Sequence, residues 1–114
     1  MKLLIVDDDK NIQRFYKEEL EEEGYEVIIA DTGKDALELF EKENPDVVTL
    51  DILMPDIDGI SLLRKMKEIR PKTPIIMSTA YDYRDDFAVW ASEAYIVKSS
   101  DLDELKKTIK KLIS

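Results

Sequence analysis

The chain has 114 residues, 44% of them hydrophobic, and a net charge of -9, so we expect one compact domain over residues 1–114 that does not bind nucleic acid directly. It has no apolar run near the roughly 20 residues that span a membrane, and its start, MKLLIVDDD, is unlike a signal peptide, so we expect a cytoplasmic protein. It contains neither cysteine nor histidine, which excludes disulfides, thiol chemistry and Ser-His-Asp triads.

Short apolar runs alternate with helical periodicity along the whole chain. Gly24, Asn44-Pro45 and Pro71 stand where helices are expected to end. In chain order, the pattern predicts a strand at Leu3–Val6, a helix with apolar positions from Ile12 to Leu20, a strand at Val27–Ala30, a helix from Ala36 to Phe40, a strand at Val47–Leu50, a helix from Leu62 to Ile69, a strand at Ile75–Met77, a helix from Phe87 to Ala94, a strand at Tyr95–Val97 and a helix from Leu102 to Leu112.

This alternation predicts an α/β fold of the (βα)₅ type, with a doubly wound, five-stranded parallel sheet covered by helices on both faces. The nearly continuous apolar strands agree, because such strands are buried on both sides. Right-handed crossovers favour the strand order 2-1-3-4-5. Ligands in such sheets bind at the carboxyl ends of the strands, here between strands 1 and 3.

Polar side chains stand at the predicted carboxyl ends of four strands. They are Asp7, Asp8, Asp51, Ser78, Thr79 and Lys98. Three carboxylates in one crevice repel each other, so one is protonated or a cation enters. All-oxygen ligands suit Mg²⁺, which takes one or two carboxylates plus phosphate oxygens. A carboxylate can also attack phosphorus and form an acyl phosphate, whereas no glycine-rich nucleotide motif occurs.

Each of these residues also has an ordinary structural interpretation. Asp8 and Asp9 could cap and begin the first helix, and Asp51 could be a turn residue. Thr79 and Lys98 alone carry little information. The functional interpretation is favoured because all of these positions fall at strand ends on one edge of the predicted sheet.

Four segments then resemble a known family. They are Val6-Asp7-Asp8-Asp9, the stretch from Asp51 to Gly59 that reads D-x-x-M-P-x-x-D-G, Ser78-Thr79-Ala80, and Tyr95-Ile96-Val97-Lys98. The sequence resembles the receiver domain of two-component response regulators over its whole length. The resemblance implies a CheY-like, flavodoxin-like fold and a Mg²⁺-dependent phosphorylation switch.

The resemblance implies a role for each matching residue at the phosphorylation site. Asp51 is similar to the phosphoacceptor. Asp8 is similar to the direct Mg²⁺ ligand and Asp7 to a ligand that often acts through water. Asp51 itself and the backbone carbonyl of Leu53 complete the implied metal site.

Three further residues match the part of the family that senses the phosphoryl group. Thr79 is similar to the switch hydroxyl and Lys98 to the lysine that pairs with phosphate. Tyr95 is similar to the aromatic residue whose rotamer follows the switch. An alternative for Tyr95 is a strand aromatic that packs and never moves.

The resemblance also implies partners and an activity class. A sensor histidine kinase would phosphorylate Asp51, and an unknown downstream protein would bind the switched surface, with no membrane contact. We expect no enzyme activity beyond the chain's own phosphotransfer and dephosphorylation. We expect a stand-alone receiver without an output domain, either a monomer or a phosphorylation-dependent dimer.

The sequence departs from the family pattern around the predicted fifth strand. Ser99-Ser100 follows Lys98 where the family usually has proline, and Glu93-Ala94 replaces the usual Gly-Ala. Lys98 follows Thr79 by 19 residues, a few fewer than expected. We therefore expect a shortened region around the predicted fourth helix and an atypical output surface.

Two other functions are considered from the same residues. An aspartyl-phosphate phosphatase of the haloacid dehalogenase type resembles D-x-D-x-[TV], but Leu53 occupies the position of its second aspartate. A degenerate receiver that no longer takes phosphate would be a plain interaction module. The intact set of acidic residues, Thr79 and Lys98 disfavours it.

Overall fold

The computed structural model describes residues 1–51, 56–79, 94–97 and 102–113. These residues form a five-stranded sheet and four helices. In chain order the elements are β1 (Lys2–Val6), α1 (Lys10–Glu22), β2 (Glu26–Ala30), α2 (Gly33–Glu43), β3 (Val47–Leu50), α3 (Gly59–Ile69), β4 (Ile75–Thr79), β5 (Ala94–Val97) and α4 (Asp103–Ile113).

The sheet has the strand order β2-β1-β3-β4-β5, and each described pairing is parallel. This confirms the predicted fold class and strand order. Four strand boundaries differ from the predictions. Strands β1 and β2 each begin one residue earlier than predicted, at Lys2 and Glu26. Strand β4 continues to Thr79, and Ala94 begins β5 instead of ending the fourth predicted helix. The rest of that predicted helix, from Phe87 onward, lies outside the described residues, so α4 corresponds to the fifth predicted helix.

Strand residues alternate between two apolar layers, because successive side chains of a strand point to opposite faces. On the face covered by α2 and α3, the buried residues are Leu4, Val6, Ala30, Ala36, Phe40, Val48, Leu50, Leu62, Leu63, Met66, Ile75 and Met77. On the face covered by α1 and α4, they are Leu3, Ile5, Tyr16, Leu20, Val27, Val47, Ile76, Leu102, Leu105 and Ile109. Burial on both faces holds the sheet edge in place for the site described below.

Three helices begin at a side chain that accepts hydrogen bonds from their first turn. Asp9 caps α1, Thr32 caps α2 and Asp58 caps α3. Such caps satisfy backbone N–H groups that have no partner within the helix. At the other ends, Gly24 follows α1 with a φ of 94° and Asn44 ends α2 with a φ of 48°, as helix C-termini often require.

No helix in the described part of the chain is long and apolar enough to cross a membrane. The longest of them, α1, has 13 residues. A bilayer-spanning helix needs roughly 20 predominantly apolar residues.

Candidate metal centre

Three carboxylates meet at the carboxyl edge of the sheet. Asp7 and Asp8 follow β1, and Asp51 follows β3. One oxygen from each carboxylate lies within 4.8 Å of the oxygens of the other two. Asp7 and Asp51 are buried, with 2% and 7% of their surfaces exposed, whereas Asp8 is exposed. The cluster therefore combines two buried carboxylates with one that is exposed to solvent.

Backbone pairing fixes the position of this cluster. The register aligns Val6 of β1 with Leu50 of β3 and with Ala30 of β2. The ladder continues one residue further, because the N–H of Asp51 donates to the carbonyl of Val6 at 3.0 Å. The N–H of Asp7 donates to the carbonyl of Ala30 at 3.2 Å. Both acids therefore sit on ordered backbone at the predicted switch point between strands 1 and 3.

The charge and chemistry of this cluster fit a divalent cation. Like charges this close disfavour the ionised state of one another unless an opposite charge joins them. Carboxylate oxygens are the ligands that Mg²⁺ and Ca²⁺ prefer. Because two of the three carboxylates are largely withdrawn from water, solvent screens their repulsion less than it would at a surface. The residues present can therefore hold such an ion.

The two acids that follow Asp7 have different roles. The carboxylate of Asp9 accepts from the N–H groups of Asn11 and Ile12 at 2.9 and 3.3 Å, so it is the cap of α1. The N–H of Asp9 donates to Oδ1 of Asp7 at 2.9 Å. The capping alternative thus holds for Asp9, while Asp8 belongs to the acidic cluster.

A glutamine of α1 supports the same loop, and the sequence analysis did not identify it. Gln13 is only 8% exposed, and its Nε2 donates to the backbone carbonyl of Asp7 and to Oδ1 of Asp31. Lys10 Nζ lies 2.9 Å from the other oxygen of Asp31. The hydrogen bond from Lys10, followed by that from Gln13, lowers the pKa of the Asp31 carboxyl below its ordinary value.

The other predicted site residues lie on the two strands beyond β3. Thr79 is the last residue of β4 and pairs with Val97 of β5. Tyr95 lies in β5, opposite Met77. The backbone thus places Thr79 at the same edge as Asp51, but the positions of its hydroxyl and of the Tyr95 ring are not described. Leu53 and Lys98 lie outside the described residues.

Ser78 does not take the place that the sequence predicted for it. Its hydroxyl is buried and lies 3.1 Å from the hydroxyl of Tyr16 in α1. Ser78 therefore belongs to the packing between β4 and α1, not to the acidic cluster.

The segment after Asp51 is anchored to the helices at its far end. The carboxylate of Asp56 accepts from the N–H groups of Gly33 and Lys34 at 2.8 and 3.1 Å. The first of these bonds is the main reason why the pKa of the Asp56 carboxyl is lowered. An anion at a helix N-terminus is also favoured by the helix dipole. The start of α2 is thereby joined to the segment that leads from β3 to α3.

Asp58 anchors the same segment to α3. Its carboxylate accepts from the N–H of Ser61 and from the Ser61 hydroxyl, both at 2.9 Å. The backbone bond from Ser61 is the largest cause of the lowered pKa of the Asp58 carboxyl. The two acids in the second half of the D-x-x-M-P-x-x-D-G stretch therefore have structural roles.

Comparison with known proteins identifies the family. The model for the response regulator receiver domain matches residues 3–110. The chain is 38% identical to the regulatory protein AtoC of Escherichia coli, over 98% of this chain but 25% of that protein. It is 36% identical to sporulation initiation phosphotransferase F of Bacillus subtilis, over 98% of this chain and 93% of that protein. It thus spans a quarter of one relative and most of the other.

Solved structures of related proteins have the same fold. The response regulator protein TrrA of Thermotoga maritima, in complex with Mg²⁺-BeF, is 46% identical, with a TM-score of 0.94 over 97% of each chain. TrrA has also been solved in complex with the histidine kinase ThkA. The match covers almost the whole chain in both sequence and structure, and the chain belongs to the family of response regulator receiver domains.

Proposed function

We propose that Asp51 is the phosphoacceptor of a switch in two-component signal transduction. The observation that carries this proposal is the meeting of Asp7, Asp8 and Asp51 within 4.8 Å at the carboxyl edge of the sheet. Family membership supports it, since the relative TrrA has been solved in complex with Mg²⁺-BeF. Beryllofluoride is an analogue of a phosphoryl group, and Mg²⁺ is the cation that suits a phosphate site.

The chemistry assigned to this chain is a displacement at phosphorus. An oxygen of the Asp51 carboxylate forms the new O–P bond while the N–P bond of a partner's phosphohistidine breaks, and the imidazole keeps the bonding electron pair. Asp7, Asp8, Asp51 and the carbonyl of Leu53 would hold Mg²⁺. When bound, the ion would neutralise part of the phosphoryl charge. What remains for the protein is to position the two reacting groups.

The switch itself is assigned to residues on β4, β5 and just beyond. We propose that Thr79 donates its hydroxyl to the new phosphoryl group and that Lys98 pairs with its charge. Tyr95 would follow the rearrangement. A dianionic phosphoryl group creates charge-assisted hydrogen bonds of this kind. Phosphorylation shifts the equilibrium between the inactive and the active conformation only by the difference between the contacts it makes in each. The site serves the chain's own phosphotransfer and dephosphorylation and has no other substrate.

The partners are proposed from the chemistry and from the relatives. A sensor histidine kinase is the phosphodonor, because the chain has no histidine of its own and a relative forms a complex with such a kinase. A downstream protein would recognise the switched surface, with the receiver as a monomer or as a phosphorylation-dependent dimer. We propose residues 1–114 as one receiver unit. The absence of direct nucleic acid or membrane binding and the cytoplasmic location stay predictions.

The test is phosphorylation of the purified chain by acetyl phosphate, followed by intact-mass spectrometry with Mg²⁺ or with EDTA. We expect the wild-type chain to gain one phosphoryl group with Mg²⁺ only, and the adduct to be released by hydroxylamine, as an acyl phosphate should be. Asp51→Asn should gain none. Asp46→Asn, at the opposite end of β3, is the matched control and should be phosphorylated like the wild type.

Two outcomes would contradict the proposal. Phosphorylation of Asp51→Asn to the wild-type extent would show that another residue is the acceptor. A wild-type chain that binds Mg²⁺ but takes no phosphoryl group, from acetyl phosphate or from a panel of phosphorylated histidine kinases, would be an interaction module without a switch.

A further inference from the structure

Gln13 forms a bridge between the ends of β1 and β2, beside the acidic cluster. Its Nε2 donates to the backbone carbonyl of Asp7, at the end of β1, and to Oδ1 of Asp31, at the end of β2. Asp7 and Asp31 are 6 and 18 residues away from Gln13 along the chain. One side chain of α1 therefore fixes the helix against both of the loops that leave these strands.

The donor assignment follows from the chemistry of the partners. A backbone carbonyl and an ionised carboxylate can only accept hydrogen bonds, and a glutamine Nε2 offers two hydrogens. Both hydrogens are therefore used, one for each acceptor. Lys10 holds the other oxygen of Asp31 at 2.9 Å, so Asp31 is itself restrained on both sides. Only an uncharged donor such as an amide can serve both acceptors here without bringing a further cation beside the cluster.

The burial of Gln13 indicates that this contact is a structural one and not a variable contact at the surface. The side chain is 8% exposed, and a buried amide is costly unless its polar groups are paired. Gln13 lies on the buried face of α1, together with Tyr16 and Leu20. Because α1 packs on the sheet, it holds the Gln13 amide in a fixed position next to the end of β1.

We propose that Gln13 is a positioning residue for the metal site. It holds Asp7 in the orientation in which its carboxylate meets those of Asp8 and Asp51. The proposal rests on the proposed function in one respect, namely that the acidic cluster binds Mg²⁺. Residues that hydrogen-bond to metal ligands, without contacting the metal, contribute strongly to metal affinity. Gln13 acts on the backbone of Asp7 and touches neither the metal nor the phosphoryl group.

The first experiment uses the wild-type chain and needs no substitution. Gln13 is the only glutamine in the sequence, and Asn11 and Asn44 are the only asparagines, so the side-chain amide pairs are readily assigned in ¹H–¹⁵N NMR spectra. During a MgCl₂ titration, the Gln13 amide pair should shift with the same midpoint as the backbone N–H groups of Asp7 and Asp8. The Asn44 pair, which ends α2 on the other side of the sheet, should stay in place.

The second experiment compares two variants of α1 by Mg²⁺ binding and thermal unfolding. Gln13→Met keeps the length of the side chain and removes both hydrogen-bond donors. We expect the Kd for Mg²⁺ to rise about tenfold, the lower end of the range typical for residues that hydrogen-bond to metal ligands. Tyr16→Phe removes one buried hydroxyl from the same helix, the one that lies next to the Ser78 hydroxyl. It should lower thermal stability but leave the Kd within about twofold, because the change in Kd follows from the lost Asp7 contact.

The results separate the inference from the proposed function. If the wild-type chain shows no Mg²⁺ binding, the metal site fails and the inference fails with it. If the wild type binds Mg²⁺ but the Gln13 amide pair does not shift, the inference alone is overturned. An unchanged Kd in Gln13→Met overturns it as well. Should Gln13→Met not fold, the NMR titration of the wild type decides the question.

Discussion

The hydroxyl of Tyr16 lies 3.1 Å from the hydroxyl of Ser78, and both side chains are almost completely buried. This contact joins α1 to the end of β4 across 62 residues of sequence. Ser78 directly precedes Thr79, the proposed switch residue. The position of β4 at the carboxyl edge is therefore fixed from α1 as well as from the neighbouring strands.

The first prediction concerns the energy of this contact. We expect Tyr16→Phe and Ser78→Ala each to reduce the free energy of unfolding, and a double-mutant cycle to give a coupling energy of about 1 kcal/mol, the usual net value of a hydrogen bond. Urea denaturation of the four proteins is the measurement. Additive effects, with no coupling between the two substitutions, would mean that the hydroxyls do not interact in solution.

The second prediction concerns Gly33 at the start of α2. A Cβ at this position would lie 1.7 Å from Cγ2 of Ile57, so the segment that carries Asp56 could not keep its place. We expect Gly33→Ala to destabilise the protein by about 1–3 kcal/mol, as overpacking does. Helix propensity alone predicts the opposite sign, a gain of up to about 1 kcal/mol. Thermal or urea unfolding distinguishes the two.

A second substitution tests the cause of that effect. Ile57→Ala removes the carbon atom with which the new Cβ would collide. In this background, Gly33→Ala should be much less destabilising than in the wild type. An equal loss in both backgrounds would show that the penalty of Gly33→Ala does not come from the contact with Ile57.

The third prediction concerns pH and the cap of α3. The folded pKa of Asp58 is lowered by its bonds from Ser61, so the unfolded chain binds the proton more readily. The contribution of the ionised cap is present above the ordinary carboxyl pKa of 3.8 and is lost as the pH falls through the lowered folded value. Asp58→Asn keeps a capping oxygen without this titration.

The measurement is the free energy of unfolding of both proteins between neutral pH and pH values below the ordinary carboxyl pKa. The advantage of the wild type over Asp58→Asn should shrink as the solution becomes acidic, since the variant cannot be protonated at this position. Parallel curves over the whole range would show that the ionisation of Asp58 does not contribute to stability.

The fourth prediction concerns the repulsion within the acidic cluster. In EDTA, Asp8→Asn should be more stable than the wild type, by up to about 1 kcal/mol, because solvent screens the repulsion of an exposed charge. With Mg²⁺ at ten times its Kd, the wild type should gain about 1.4 kcal/mol, and the variant much less. Adding Mg²⁺ should therefore reduce the difference between the two thermal midpoints or reverse their order.

Asp9→Asn is the matched control for this prediction. It removes the same charge from the same loop, but Asp9 is a helix cap outside the cluster, and asparagine caps helices about as well as aspartate. Its response to Mg²⁺ should resemble that of the wild type. If Mg²⁺ changes the thermal midpoints of Asp8→Asn and Asp9→Asn by the same amount, the effect of Mg²⁺ depends on the overall negative charge of the loop and not on the three-carboxylate cluster.

The sequence by itself determined the sheet and the place of the acidic residues. Apolar runs of strand length alternate with helical stripes, and the carboxyl ends of parallel strands lie at one edge of a sheet. Asp7, Asp8 and Asp51 directly follow the strands they belong to, so their meeting point depended only on the strand order. Local patterns and connectivity were sufficient for this part.

Only the tertiary structure decided which polar residues support that edge. Gln13 reaches Asp31, and Asp56 reaches Gly33, across 18 and 23 residues, and Ser78 meets Tyr16 instead of entering the acidic cluster. Periodicity marks which residues are apolar, but not how far a helix is rotated on the sheet. That rotation is set by the packing of complete layers, and it decides whether a polar side chain of the buried face reaches a partner.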